Sequence, residues 1–195
     1  MDRSGWDRIV SGAGAVVAVV LIVLGTMAIW GGNFGRDNVR DRLVPQHIQF
    51  PPADAMTPEE RASIGEFAGA KVDTGVEAEA FSRYIAGHLE AVNDGATYSE
   101  TSGAARAEGL DPQVAADLQA KADILFKGES LRAMLLNAYG WWTLATIALW
   151  AGVAMVIAGL ILAIFAIFGF RHAGKVAPTI MQEKIDAPEY ATTSS

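Results

Sequence analysis

Apolar residues in this chain fall into two patterns, long uninterrupted runs and short helical periods. Residues 133–170 run for 38 positions without an Asp, Glu, Lys or Arg. A bilayer's hydrocarbon core needs only about 20. This predicts one long helix that begins outside lipid, enters near Trp141 and Trp142 and leaves at Arg171. Indoles favour the membrane interface because an apolar ring carries a polar N–H, and Arg171 suits the far headgroups. Trp30 takes the same anchoring role at the end of a second uncharged run, residues 9–31. Its 23 residues amount to about 35 Å of helix. That run outlasts the core of a signal peptide, about 7–15 residues, and no small-x-small cleavage site follows, so a retained span is expected.

Between the runs the period shortens. Val39 and Leu43 lie four apart, which predicts a brief helix over 36–44, restarted after Gly32 and stopped by Pro45. Residues 47–50 alternate polar and apolar before Pro51 and Pro52. Thr57-Pro58-Glu59-Glu60 reads as a helix start: a capping hydroxyl, a proline in the first turn, then acids at the positive end of the dipole. This helix is expected to stop around Gly65 to Gly69. Val76, Ala80, Phe81, Tyr84, Ile85, Leu89 and Val92 keep a 3.6-residue rhythm, with Thr74 as a candidate cap and Asn93-Asp94-Gly95 as the end. Residues 98–108 read as helical, closed by Gly109. Another helix opens at Asp111-Pro112 with Val114, Leu118, Ala122, Leu125 and Phe126 on one face, and Gly128 is its expected C-terminal cap. The last helix then starts near Glu129 and continues into the second span.

The fold class that follows is all-α, with two transmembrane helices flanking a small helical extracytoplasmic domain. The expected divisions are a cytoplasmic tail (1–8), a first span (9–31), the domain (32–132), a long helix containing the second span (133–170), and a flexible cytoplasmic tail (171–195). The last of these holds Pro178 and Pro188 and too few large apolar residues for a core.

Glycine and alanine recur along both spans. Gly14, Ala18, Gly25, Ala28 and Gly32 mark the first, and Ala145, Ala148, Gly152, Gly159, Ala163 and Ala166 the second. Small residues on one stripe let helix backbones approach closely where lipid removes the hydrophobic drive. Gly14, Ala18, Gly25, Ala148, Gly152, Gly159 and Ala163 are therefore the candidate packing interface. The two helices either pack on each other or dock to a partner.

Charge sharpens the picture. Segment 33–132 holds 17 acids against 10 bases, so the net charge of −7 resides there, and the tails balance at five of each. An acidic domain repels phosphate backbones, which argues against nucleic acid as a partner. The bases near the spans are almost evenly divided between the two sides. Long loops translocate largely regardless of charge, and both termini are expected in the cytoplasm with 32–132 outside. With no cysteine there is no disulfide and no thiolate ligand.

Candidate chemistry is sparse. His47 and His88 could ligate a metal with Glu77, Glu90 or Asp94, but no ligand spacing supports a closed site of three or four donors. His172 beside Arg171 reads as an interfacial residue. Carboxylates such as Glu59, Glu60, Glu66, Asp73 and Glu79 read as a solvated face, and Ser82, Ser99, Ser102 and Ser130 lack a nucleophile elbow. No phosphate loop or dinucleotide fingerprint occurs, and neither span contains an ionisable residue. No catalytic residue, cofactor or metal is expected.

The segments Gln46-His47-Ile48-Gln49-Phe50-Pro51, Asp73-Thr74-Gly75-Val76-Glu77-Ala78 and Tyr84-Ile85-Ala86-Gly87-His88-Leu89 resemble the actinobacterial two-span membrane proteins of unknown function. So does the stretch from Leu125-Phe126-Lys127-Gly128 through Asn137-Ala138-Tyr139-Gly140-Trp141-Trp142. Some of those proteins carry a label naming an aromatic ring-opening dioxygenase, which would need an iron site that these residues do not assemble. The resemblance implies a helical extracytoplasmic domain between two spans and carries over no catalytic residue. The expected function is an accessory subunit or assembly factor of a larger plasma-membrane complex, partnered by other integral membrane subunits and the bilayer. A respiratory supercomplex is one host class by analogy. The alternatives are a binding or sensing module for a lipid or small apolar ligand, with its pocket among the helices of 57–128, and an enzyme using His88 and nearby carboxylates.

Overall fold

The computed structural model describes residues 3–186. They form α1 (Arg3–Leu43), α2 (Pro58–Ile64), α3 (Gly75–Val92), α4 (Tyr98–Ala104) and α5 (Pro112–Asp186), with short 3-10 turns at Val44–Gln46 and Gly65–Phe67. Among the described residues there is no strand, only an isolated antiparallel bridge between Gln49 and Lys71. The all-helical expectation holds. The chain divides into two compact units, Met1–Trp30 with Ala148–Ser195, and Gly31–Ile147.

The first unit is a helix pair sorted inside out. Val16, Val19, Val23 and Met27 of α1, and Ile157, Leu160, Ile164 and Phe165 of α5, are exposed. Ala18, Gly25, Gly152, Gly159 and Ala166 are buried. A water-soluble protein hides its large apolar side chains. Where lipid is the solvent nothing is gained by that, and close backbone approach through small residues is favoured instead. Both helices are long and apolar enough to cross a bilayer. The Thr26 hydroxyl donates to the Ile22 carbonyl at 2.7 Å, so this polar group needs no water.

Four helix boundaries differ from expectation. α4 stops at Ala104, where a helix over 98–108 is expected. α1 does not break at Gly32 but runs on to Leu43. A helical glycine costs about 1 kcal/mol, and burial of Val39 and Leu43 in the second unit's core outweighs it. Gly128 does not cap a helix; α5 passes straight through it. A Cβ there would collide with the Leu89 side chain, itself buried, so this glycine serves the close approach of α3 to α5. The far end of α5 reaches Asp186, so the backbone of 174–186 is helical where a flexible tail was expected. Met181, Gln182, Glu183 and Lys184 are good helix formers, and one proline at position 178 does not stop the run. The rest of that expected tail, 187–195, lies outside the described residues.

The second unit is built on short capped helices. Thr57, Thr74 and Thr97 each accept from the backbone N–H three residues on, and Glu60, Glu77 and Glu100 reach back to the cap N–H. Three capping boxes thus start α2, α3 and α4. A left-handed Asp94 followed by Gly95 ends the connection out of α3. The core gathers Val39 and Leu43 of α1, Phe50, Met56, Ile64, Val72, Ala78 and Ala80, and Leu135 of α5. Phe50, 2% exposed, stacks on Phe67 at 5.4 Å and meets Phe81 edge-on at 5.1 Å.

Candidate functional site

The expected packing residues divide cleanly. Gly25 and Gly152 face each other: a Cβ on Gly25 would lie 2.7 Å from the Gly152 carbonyl oxygen, and one on Gly152 would lie 2.6 Å from that of Gly25. Each glycine therefore turns its Cα–H toward the other's carbonyl, the arrangement of weak Cα–H···O contacts. Gly159 lies over Ala18 and Ile22, where a Cβ would stand 2.9 Å from the Ala18 carbonyl oxygen. Gly14 is looser, with Leu162 Cδ1 at 3.9 Å and Ala166 Cβ at 4.0 Å from its Cβ position. Ala148 and Ala163 are half-buried beside the seam. Ser11, Ala166 and Gly169 also belong to it, and a Cβ on Gly169 would strike the Ser11 hydroxyl. The signal for Ser11 and Ala166 is a strict period of seven, 11-18-25 on α1 against 152-159-166 on α5. Such a repeat is the mark of a left-handed helix pair. Mixing three-, four- and seven-residue steps obscured it. The stripes are thus spent on each other, within one chain.

Of the expected anchors, Trp30, Trp141 and Arg171 are exposed. Trp142 points elsewhere. It packs at the edge of the core, with Arg36 4.6 Å from its ring centre and Gly75 against its side chain, where a Cβ would collide. It works as a packing and cation–π residue of the second unit.

Convergent polar groups occur where α2 meets α3. The capping box fixes Glu60, whose Oε2 accepts from the Thr57 N–H at 2.8 Å. Its Oε1 lies 3.6 Å from His88 Nδ1, and that nitrogen is 3.1 Å from the Tyr84 carbonyl oxygen. The His88 ring also meets the Tyr84 ring edge-on at 4.4 Å, and Tyr84 leans on Phe81 at 5.4 Å. A line of rings thus runs from the buried Phe50 to a His88 side chain that is 55% exposed. Desolvation first, and the Glu60 charge second, push the Tyr84 hydroxyl above its ordinary value. The sequence offers Glu77, Glu90 or Asp94 as oxygen partners beside His47 and His88. The structure puts Glu60 next to His88 instead, because α2 meets α3 there; the capping motif fixes Glu60 but does not point to the histidine.

Other candidates have structural duties. Glu77 Oε2 accepts from the N–H groups of Asp73 and Thr74 at 2.7 and 2.8 Å. Glu100 accepts the Thr97 N–H and hydroxyl, which holds its carboxyl below the usual value. Ser130 donates to the Phe126 carbonyl at 2.7 Å. His47 sits in the left-handed region at φ 52° and closes the turn after α1, its N–H donating to Val44 O. The His172 side chain lies outside the described ones. Among the described residues no group of three or more His, Asp or Glu side chains could hold a metal ion.

No family model, curated protein or solved structure matches this chain. Its chemistry therefore rests on its own geometry. The His88 ring and the Glu60 carboxylate lie 3.6 Å apart, too far for a hydrogen bond, and the carboxylate is already part of a capping box while the ring is already a packing surface.

This arrangement predicts a measurable coupling. Glu60→Gln keeps the capping box, since glutamine also accepts at that position, while removing the charge that disfavours tyrosinate. The Tyr84 pKa should fall toward its ordinary value without reaching it, because burial persists. Folded-state stability tied to Tyr84 is full below the unfolded pKa near 10 and declines as pH rises through the raised folded value. Ultraviolet titration of tyrosinate in wild type, Glu60→Gln and Tyr84→Phe checks this; identical curves for the first two would refute the coupling.

Proposed function

We propose that this protein is a non-enzymatic accessory subunit, or an assembly or stability factor, of a larger plasma-membrane complex. The observation that carries the reading is the filled interior of unit Gly31–Ile147. Phe50 stacks on Phe67 and meets Phe81 edge-on, and Ile64, Val72, Ala78 and Ala80 are all but inaccessible. Ligand and active sites are concave and lined by a few convergent polar groups. Here the polar groups that converge, Glu60 and His88, start a helix and pack against Tyr84. A capped, solid helical body held by two apolar helices is suited to contact, not turnover.

In this proposal both termini face the cytoplasm, 32–132 are extracytoplasmic, and the partners are other integral membrane subunits and the bilayer, with no nucleic acid. The actinobacterial resemblance makes a respiratory electron-transfer assembly the first host to test. A second reading, a membrane-anchored module for a lipid or small apolar molecule, draws on an open groove of about 510 Å³ between α1 and α5. The groove is lined by Val10, Gly14, Leu162 and Phe165 among others, all uncharged. It belongs to the helix pair, whereas that reading needs a pocket among residues 57–128.

Purification from native membranes in mild detergent tests the proposal. The chain should elute in a large complex at fixed stoichiometry with other integral membrane subunits. Elution as the bare 195-residue chain, or with bound lipid alone, would refute it.

A further inference from the structure

We propose that the part of α5 within unit Gly31–Ile147 carries a docking face for one helix of another protein, apolar at heptad spacing and bearing a carboxylate opposite Lys127. This rests on the accessory-subunit reading and gives it a surface.

The face is one stripe that changes owner along its length. Ala145, Ala138, Leu131 and Ile124 recur every seven residues, with Met134 and Lys127 on the intervening steps, the pattern of a helix-packing seam. At Ala145, 8% exposed, α1 covers the stripe; a Cβ on Gly35 would lie 2.9 Å from the Ala145 Cβ. Ala138 packs at the core's edge. α1 then ends at Leu43, whose side chain shares the core with Leu135. Beyond that point the row is bare: Leu131 is 54% exposed and Ile124 48%, while on the intervening step Met134 (70%) continues an edge already open at Trp141 (62%). The seam outruns the helix that fills it.

Lipid is not the natural cover. Arg36 stands at the level of Trp142, and Arg36, Asp37, Arg40, Asp41 and Arg42 crowd the α1 turns beside residues 135–142, between the span and the bare stretch. Charges that dense do not enter hydrocarbon. Met134 lies eight residues beyond Trp142, about 12 Å along the helix, and Asp123, Lys127, Glu129 and Arg132 surround the bare stretch. A second copy is not the natural cover either. Two chains inserted the same way would bring their stripes together in parallel, setting Lys127 against Lys127 and Asp123 near Asp123, and like charges at a seam oppose pairing. Among the described residues no acid pairs with Lys127. What remains is a foreign helix whose apolar residues fill the spaces around Ile124, Leu131 and Met134 and whose acid meets Lys127. The ten-residue reach from Ile124 to Met134 gives about 15 Å, nearly three turns, enough for helix-on-helix recognition.

The chain has no cysteine, so single cysteines report cleanly. Met134→Cys and Ile124→Cys sit on the face, and Glu108→Cys is an exposed reference. Each is expressed in the native host, and permeabilised membranes are treated with a charged maleimide. Both face cysteines should react at least about tenfold more slowly than the reference, as mass action gives when a partner occupies the face about nine-tenths of the time. Adding Lys127→Glu should restore their reaction. In proteoliposomes of the purified chain alone, all three should react alike. Free reaction of the face cysteines in native membranes would overturn the proposal. So would protection in the proteoliposomes, which would assign the face to the bilayer, or a disulfide-linked homodimer through Met134→Cys, which would assign it to a second copy. If the wild-type chain co-purifies with subunits while the face cysteines react freely, only this surface is wrong. If the chain also elutes alone, the accessory reading falls with it.

Discussion

Gly152→Leu should break the helix pair, at a cost above about 3 kcal/mol, beyond the usual range for overpacking a well-filled site. The reason is what the new Cβ would meet. Gly25 O lies 2.6 Å and Ile29 N 2.8 Å from its position, and both are backbone atoms that cannot rotate away. The helices would have to separate, giving up the close contact on which association in lipid depends. Gly14→Ala is the matched control. Its Cβ would meet only Leu162 and Ala166 near 4 Å, an ordinary contact, so stability should change by no more than about 0.5 kcal/mol. Denaturant unfolding of both variants in mild detergent measures the difference. Equal midpoints would mean that the glycine contact is not what holds the pair. The seam joins two helices of one chain, so any partner lost by Gly152→Leu would be lost because the pair itself has failed.

Leu135→Pro should unfold unit Gly31–Ile147. Leu135 is buried with Val39 and Leu43 in the interior of α5. Removing its side chain alone, as in Leu135→Ala, costs about 2–5 kcal/mol. Proline adds about 3 kcal/mol or more by deleting a backbone hydrogen bond and clashing with the preceding turn. Together these approach or exceed the about 5–15 kcal/mol that holds a domain folded. Near-ultraviolet dichroism and limited proteolysis should therefore report a loosened domain for Leu135→Ala and a lost one for Leu135→Pro. A proline variant as protease-resistant as wild type would show that α5 does not pass unbroken through this core.

Much of the outline was legible because it depends on local composition. Uncharged runs of bilayer length, Thr-x-x-Glu starts and Asn-Asp-Gly ends each act through neighbouring residues, and the helices that follow from them are where periodicity put them. The two misplaced interruptions both concern glycine. Gly32 and Gly128 read locally as interruptions, yet α1 and α5 run through both positions. At Gly128 the missing Cβ is used by Leu89, thirty-nine residues earlier in the sequence. Trp142 shows the same limit. An indole after an apolar run suits the interface, but Arg36 and Gly75, both distant in sequence, hold it against the core. Glu60 became the partner of His88 in the same way, through the meeting of α2 and α3.

By itself the sequence determined an all-helical chain with two helices able to cross a membrane, because both properties are sums over neighbouring residues. It also named the small residues along those helices. Only the tertiary structure decided what they are for. A stripe of Gly and Ala looks the same whether its partner is foreign or the other span, and the choice lies in the distance between Gly25 and Gly152, which no local pattern encodes. The same holds for the stripe from Ile124 to Ala145. Its repeat is continuous in sequence, and it is bare at one end because α1 stops at Leu43 while α5 does not.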